Sequence, residues 1–100
     1  MAMTTEKLRE ALLACESIIS GQGITMAIRD INADTRVRRL SHLLWLARNG
    51  LQLVEEDRRE KAMRWLGFLQ GALWAFELVS VEELKNMNRP DDSTLDNERV

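Results

Sequence analysis

Leu8, Leu12, Cys15 and Ile19 recur at spacings of four, three and four, a period that an α-helix gathers onto one face. The first predicted helix runs from about Thr5 to Ile19. Thr4 or Thr5 can accept from the free amides of its first turn, and Glu6 suits its positive end. Ser20-Gly21-Gln22-Gly23 ends it, since glycine takes the left-handed conformation that a helix C-terminus favours. Ile24, Ile28 and Ile31 then fit a turn or two of helix leaning on the core inside a long connection, although β-branched residues are weak helix formers. The second predicted helix starts near Asp34 or Thr35 and stops at Asn49-Gly50, with Val37, Leu40, Leu44 and Ala47 facing the core and Leu43 flanking them.

The third and longest helix is expected from Val54 or Glu55 to about Glu77. Glu55/Arg59, Asp57/Lys61 and Glu60/Arg64 stand acid before base at i,i+4, each pair worth about 0.2–0.5 kcal/mol. Ala62, Leu66, Leu69, Leu73 and Phe76 follow as a coiled-coil-like seam. Ser80-Val81-Glu82-Glu83 reads as a capping box opening a short fourth helix, with Leu84 and Met87 turned inward. The chain has one proline, Pro90, and no alternating β-branched run that would make strands. The pattern predicts an all-α fold: a small antiparallel helical bundle of three main helices and a short C-terminal one, forming an oligomer. One helical domain is expected over residues 1–90, with a flexible acidic tail over 91–100.

Composition narrows the classes of function. With 45% hydrophobic and 30% charged residues in 100, the chain can bury one core. A net charge of −2 argues against coating nucleic acid by bulk electrostatics. The lone cysteine, Cys15, cannot form an internal disulfide or a Cys-rich zinc site, and a reducing cytosol is expected. The first ten residues are polar and charged, unlike a signal peptide. No apolar run reaches the roughly 18–20 residues that span a membrane; the most apolar, Trp65 to Phe76, is interrupted by Gln70.

No catalytic constellation is evident. The chain has one histidine and no tyrosine, no Gly-rich phosphate loop, and neither a GxSxG nor an HExxH motif. Cys15 lies on the apolar stripe of the first helix, where a buried structural thiol is expected rather than a partner for His42. Glu55, Glu56, Asp57 and Glu60 read as a solvated helix start. The expectation is a non-enzyme with no metal and no cofactor.

Two helix faces stand out. On the third helix, Gly67, Gly71 and Ala75 recur at spacings of four opposite the seam, with Phe68 and Arg64 beside them. Two glycines in a helix cost about 1 kcal/mol each relative to alanine, which close packing would offset. Either this is a central helix enclosed by the others, or Gly67, Gly71, Trp74 and Ala75 form a subunit interface. On the second helix, Arg38, His42 and Trp45 project away from Leu40 and Leu44, flanked by Arg39 and Leu46. Trp45 either anchors an interface or folds back over apolar surface. His42 fits a hydrogen-bonding role better than a metal site, having no second histidine beside it. If the two helices pack side by side, Arg38, His42, Lys61 and Arg64 converge into one cationic patch.

The segments Arg38-Arg39-Leu40-Ser41-His42-Leu43-Leu44-Trp45 and Glu60-Lys61-Ala62-Met63-Arg64-Trp65-Leu66-Gly67-Phe68-Leu69-Gln70-Gly71-Ala72-Leu73-Trp74 resemble a family of small accessory proteins of tailed bacteriophages and prophages. Ser80 to Lys85 and Asn86 to Asp91 also resemble that family's ending, so the likeness spans residues 36–91. It implies expression in the cytoplasm of an infected bacterium and supplies no catalytic residues. The expected function is an accessory binding protein that inhibits or sequesters a host factor, with counter-defence as the purpose and Trp45 as protein anchor. One alternative is an oligomeric sponge for an anionic signalling nucleotide. There Arg38, Arg39, Lys61 and Arg64 would neutralise phosphate, and Trp45 or Phe68 would stack on the base. Another is a DNA-binding accessory with Arg36, Arg38 and Arg39 at the start of a recognition helix, which the acidic charge disfavours.

Overall fold

The first helix opens as its sequence predicts. Thr4 Oγ1 accepts from the Lys7 N–H at 3.0 Å, and α1 runs Thr5–Ser20. The computed structural model describes residues 3–89; the tail expected over 91–100 lies outside them. α2 spans Arg36–Glu55, α3 Arg59–Ala75 and α4 Val81–Asn88, and no strand occurs among the described residues. The four helices pack around one core. Leu8, Leu12, Cys15 and Ile19 of α1 are fully buried, facing Leu40, Leu44 and Ala47 of α2 and Ala62, Leu66, Leu69 and Leu73 of α3 within one apolar cluster.

Contacts between α1 and α2 run in opposite senses along the two helices. Arg9 reaches Glu55 at 3.4 Å, Leu12 lies against Gly50, and Glu16 pairs with Arg48 at 2.7 Å. These contacts explain why the predicted stop at Asn49-Gly50 is wrong. Gly50 sits inside α2, buried, and a Cβ there would approach Leu12 Cδ2 to 3.0 Å. It is a site of close helix approach, a role that a glycine reading as punctuation conceals.

The break falls one and a half turns later. The Arg58 N–H donates to Leu53 O at 2.8 Å and the Asp57 N–H to Val54 O at 3.1 Å. Asp57 takes φ +61°, a left-handed position that Asp tolerates better than most residues. Glu55 therefore belongs to the last turn of α2 and Glu56 caps it, instead of opening α3. Of the three predicted i,i+4 pairs, only Glu60/Arg64 stays within one helix, and none of the three is an ion pair among the described residues.

The connection from Gly21 to Thr35 holds no helix. Ile24 is buried, but Ile28 and Ile31 face outward. The chain is held in place by the Ile28 N–H donating to Ser41 O at 3.2 Å and by a turn at Asp30, whose carbonyl accepts from the Ala33 N–H at 3.1 Å. Its Oδ1 accepts from the Asn32 N–H at 3.2 Å, a local bond that competes with helix. Val37, expected in the core, is exposed as well.

The capping box at Ser80 is present: Ser80 Oγ accepts from the Glu83 N–H at 3.1 Å, and Glu83 Oε1 accepts from the Ser80 N–H at 2.8 Å. α4 packs on α1 through Met87, whose sulfur lies 4.0 Å from Cys15 Sγ. It is latched to α3 by Gln70 and Asn88, whose side-chain amides exchange bonds of 2.7 and 3.0 Å. Gln70 is buried, so this pairing satisfies an amide that burial would otherwise penalise.

Candidate functional site

Ring stacking organises the outer side of α2. His42 lies nearly parallel to Trp45, with centroids 6.1 Å apart and 8° between planes. Trp45 in turn meets Trp65 of α3 at 5.8 Å. Two cations flank the ladder: the Arg29 guanidinium stands 5.8 Å from the ring of Trp45, its middle member, and Lys61 Nζ 5.4 Å from Trp65 at its α3 end, geometries in which the ring face attracts positive charge. Spacing of three along α2 brings His42 beside Trp45; α2–α3 packing adds Trp65. Trp45 and Trp65 are half-buried, so Trp45 folds back over apolar surface instead of standing free.

His42 is fixed by the connection. Its Nδ1 accepts from the Asp30 N–H at 3.0 Å, which leaves Nε2 as the nitrogen that carries the proton in the neutral ring. Asp30 also takes the Arg38 guanidinium, with contacts of 3.0 Å from Nε and 2.9 Å from the terminal nitrogen, and Asp34 adds a contact at 3.3 Å. Arg39 Nε donates to Ala33 O at 3.1 Å. Two of the three arginines expected to meet an anion, Arg38 and Arg39, are thus engaged in holding the connection against the first turn of α2.

Two grooves flank Asp30. The first, of about 460 Å³, is lined by Ile24, Met26, Ile28, Val37 and Ser41, with Gly23, Thr25, Asp30 and Arg38 at its edge. The second, of about 400 Å³, lies between Ile31 and α3; Ala33, Arg39, His42, Leu43, Phe68, Ala72 and Phe76 complete it. Its far rim carries Arg36 over the Phe76 ring at 5.2 Å. Arg38, Arg39, His42 and Phe68 therefore collect along these grooves, and Lys61 joins them only through the Trp45–Trp65 ladder.

Arg64 lies apart. It shares a depression of about 410 Å³ with Asp57, Arg58, Arg59, Glu60 and Lys61 at the start of α3. Arg59 Nε there is buried without a hydrogen-bond partner among the described residues. The single cationic patch expected from Arg38, His42, Lys61 and Arg64 is accordingly divided in two.

No protein-family model, curated protein or solved structure matches the chain.

Cys15 is sealed in the core, and burial pushes its thiol up to about 12 by disfavouring the thiolate. Its surroundings are Met87 and the apolar cluster, while His42 is turned to Asp30 and Trp45. Among the described residues no three His, Cys, Asp or Glu side chains gather as a metal site would require. No helix there is long and apolar enough to cross a membrane.

Sequence reasoning missed Met26, Ile28, Ile31 and Val37. A large apolar side chain in a connection looks like core until the backbone shows otherwise. The available signal was the clash between three isoleucines at helical spacing and the Asp30-Ile31-Asn32 segment, which prefers a turn.

Proposed function

We propose that this chain is a stoichiometric binding protein that docks an apolar segment of another protein into the groove between the connection and α2. The observation that carries this reading is the placement of exposed side chains. Ile31, Met26 and Val37 are the most exposed large hydrophobics of the described chain, at 72%, 63% and 61%, and all three border Asp30's two grooves. A fold that needed only its own stability would turn such residues inward or replace them with polar ones, since burying each is worth about 1.5–3 kcal/mol. Among the described residues the only cation lining the larger groove is Arg38, already paired with Asp30. Apolar side chains of a protein suit that groove better than an anion does.

The likeness of residues 36–91 to bacteriophage accessory proteins is the ground for taking the partner as a host factor, bound and inhibited in the bacterial cytoplasm as counter-defence. In this reading the bundle is antiparallel and the acting species is a homo-oligomer. Trp45 acts from behind, stacked on His42, whose Nδ1 holds the Asp30 N–H at the groove's edge, and the contact itself falls to Met26, Ile28 and Val37. The test is affinity capture from bacterial cytosol with the wild-type chain beside Val37→Glu and Met26→Ser. A partner retained at fixed stoichiometry by the wild type and lost in both variants supports the reading; equal retention by all three refutes it.

A second reading, capture of an anionic nucleotide, is favoured by the depression where Arg58, Arg59, Lys61 and Arg64 outnumber Asp57 and Glu60. It predicts thermal stabilisation by a nucleotide that Arg64→Ala removes.

A further inference from the structure

The outward face of α3 is left bare by the other described residues. Phe68 and Trp74 are 60% and 54% exposed, and Gly67, Gly71 and Ala75 are exposed between them. A Cβ built on Gly67 or Gly71 meets nothing within 4 Å, and neither glycine has a positive φ. The folded monomer thus has no use for them, while each lowers helix propensity relative to alanine. On the helix surface, positions 67, 71 and 75 form a shallow trough, with 68 and 74 rising on opposite sides of it.

The two ends of this face carry opposite charge. At the start of α3 four basic residues meet two acidic ones. At the other end Glu77 and Glu83 line a depression with Trp74 and Ala75, and among the described residues no cation lines it with them. Both excesses run against the helix dipole, which favours acids at the N-terminus and bases at the C-terminus. Neither Arg64 nor Glu77 makes an ion pair among the described residues.

The geometry points to a second copy of this chain on that face, in an antiparallel α3–α3 contact with a two-fold axis at Gly71. In this register large meets small: Trp74 lies against the second copy's Gly67, and Phe68 against its Ala75. Gly71 faces itself on the axis, where the absence of Cβ lets the backbones approach. Each basic end lies on an acidic end, with Arg64 near the second copy's Glu77, and the two dipoles oppose. A parallel pairing would stack like charges. The contact is isologous and closes as a dimer. A face that complements itself in shape and in charge selects its own copy over an unrelated protein. The proposal rests on the oligomeric part of the functional reading and leaves the Met26–Val37 groove open to its partner.

Sedimentation velocity on the full chain tests it, with circular dichroism as the control for folding. The wild type is expected to sediment as a dimer. Gly71→Leu, whose side chain enters open space in the monomer, is expected to sediment as a monomer of unchanged helicity. Arg64→Glu weakens the dimer by about tenfold or more, and Arg64→Glu combined with Glu77→Arg restores it. A wild type that stays monomeric up to its solubility limit overturns the proposal, as does a Gly71→Leu dimer of wild-type strength. A charge swap that fails to rescue overturns the antiparallel register. Val37→Glu is expected to keep the dimer while losing the host partner, so the two readings fail separately; a dimer lost in Val37→Glu also overturns the α3 site.

Discussion

The Cβ that Gly50 lacks would stand 3.0 Å from Cδ2 of Leu12, a side chain with no exposed surface. α1 and α2 approach this closely because the smallest residue lies where the fully enclosed Leu12 crosses. The two helices are further tied by Arg9–Glu55 and Glu16–Arg48. Gly71, on α3, has the same residue type and the opposite surroundings.

That contrast gives a paired prediction. Alanine gains about 1 kcal/mol over glycine in a helix interior, while overpacking a core costs about 1–3 kcal/mol. Gly50→Ala is expected to be destabilising by about 1 kcal/mol, since the fully enclosed Leu12 must shift to admit the methyl. Gly71→Ala is expected to stabilise by about 0.5–1 kcal/mol. Urea denaturation at low protein concentration checks both without a contribution from self-association.

Legibility followed the nature of the signal. The stripe Leu8, Leu12, Cys15 and Ile19 and the seam Ala62, Leu66, Leu69 and Leu73 were readable because periodicity reports directly which face is buried. The capping box at Ser80 was readable because it is a local hydrogen-bond pattern. The α2–α3 boundary was not: Asn49-Gly50 carries stronger turn chemistry than Glu56-Asp57-Arg58. Only the tertiary approach of Leu12 accounts for a glycine inside α2, and only the backbone shows Asp57 taking the left-handed turn. The grooves were hidden for a related reason. Ile28, Ile31 and Val37 look the same in sequence whether they face the core or solvent, and the Asp30–Arg38–His42 hydrogen-bond network that orients them is non-local in part.

Cys15 makes alkaline stability a measurable property. Its thiol titrates at about 12 in the folded chain, against an ordinary 9.0. Between these values the unfolded chain releases a proton that the folded chain keeps, so stability falls as pH rises, by up to about 1.4 kcal/mol per pH unit. Below pH 9 the contribution is constant. Cys15→Ala is expected to remove this component of the slope, read as the difference between the two proteins' denaturation midpoints from pH 8 to 11. Native protein at neutral pH should also resist thiol-directed alkylation until it is unfolded.

Trp45 is expected to report on folding. Stacked on His42 and packed on Trp65, it is half-buried, and Trp45→Ala should lower stability by about 2 kcal/mol. Chemical denaturation measures this. A loss under about 0.5 kcal/mol would mean that the ladder contributes little to the fold.

The central claim is that the groove beside Asp30 receives another protein, and native mass spectrometry of the tagged chain purified gently from bacterial cytosol tests it most directly. One host protein is expected bound to the wild type at fixed stoichiometry and absent from Val37→Glu, with both chains equally folded. A wild type that carries no host protein, or a Val37→Glu variant that carries the same one, would contradict it.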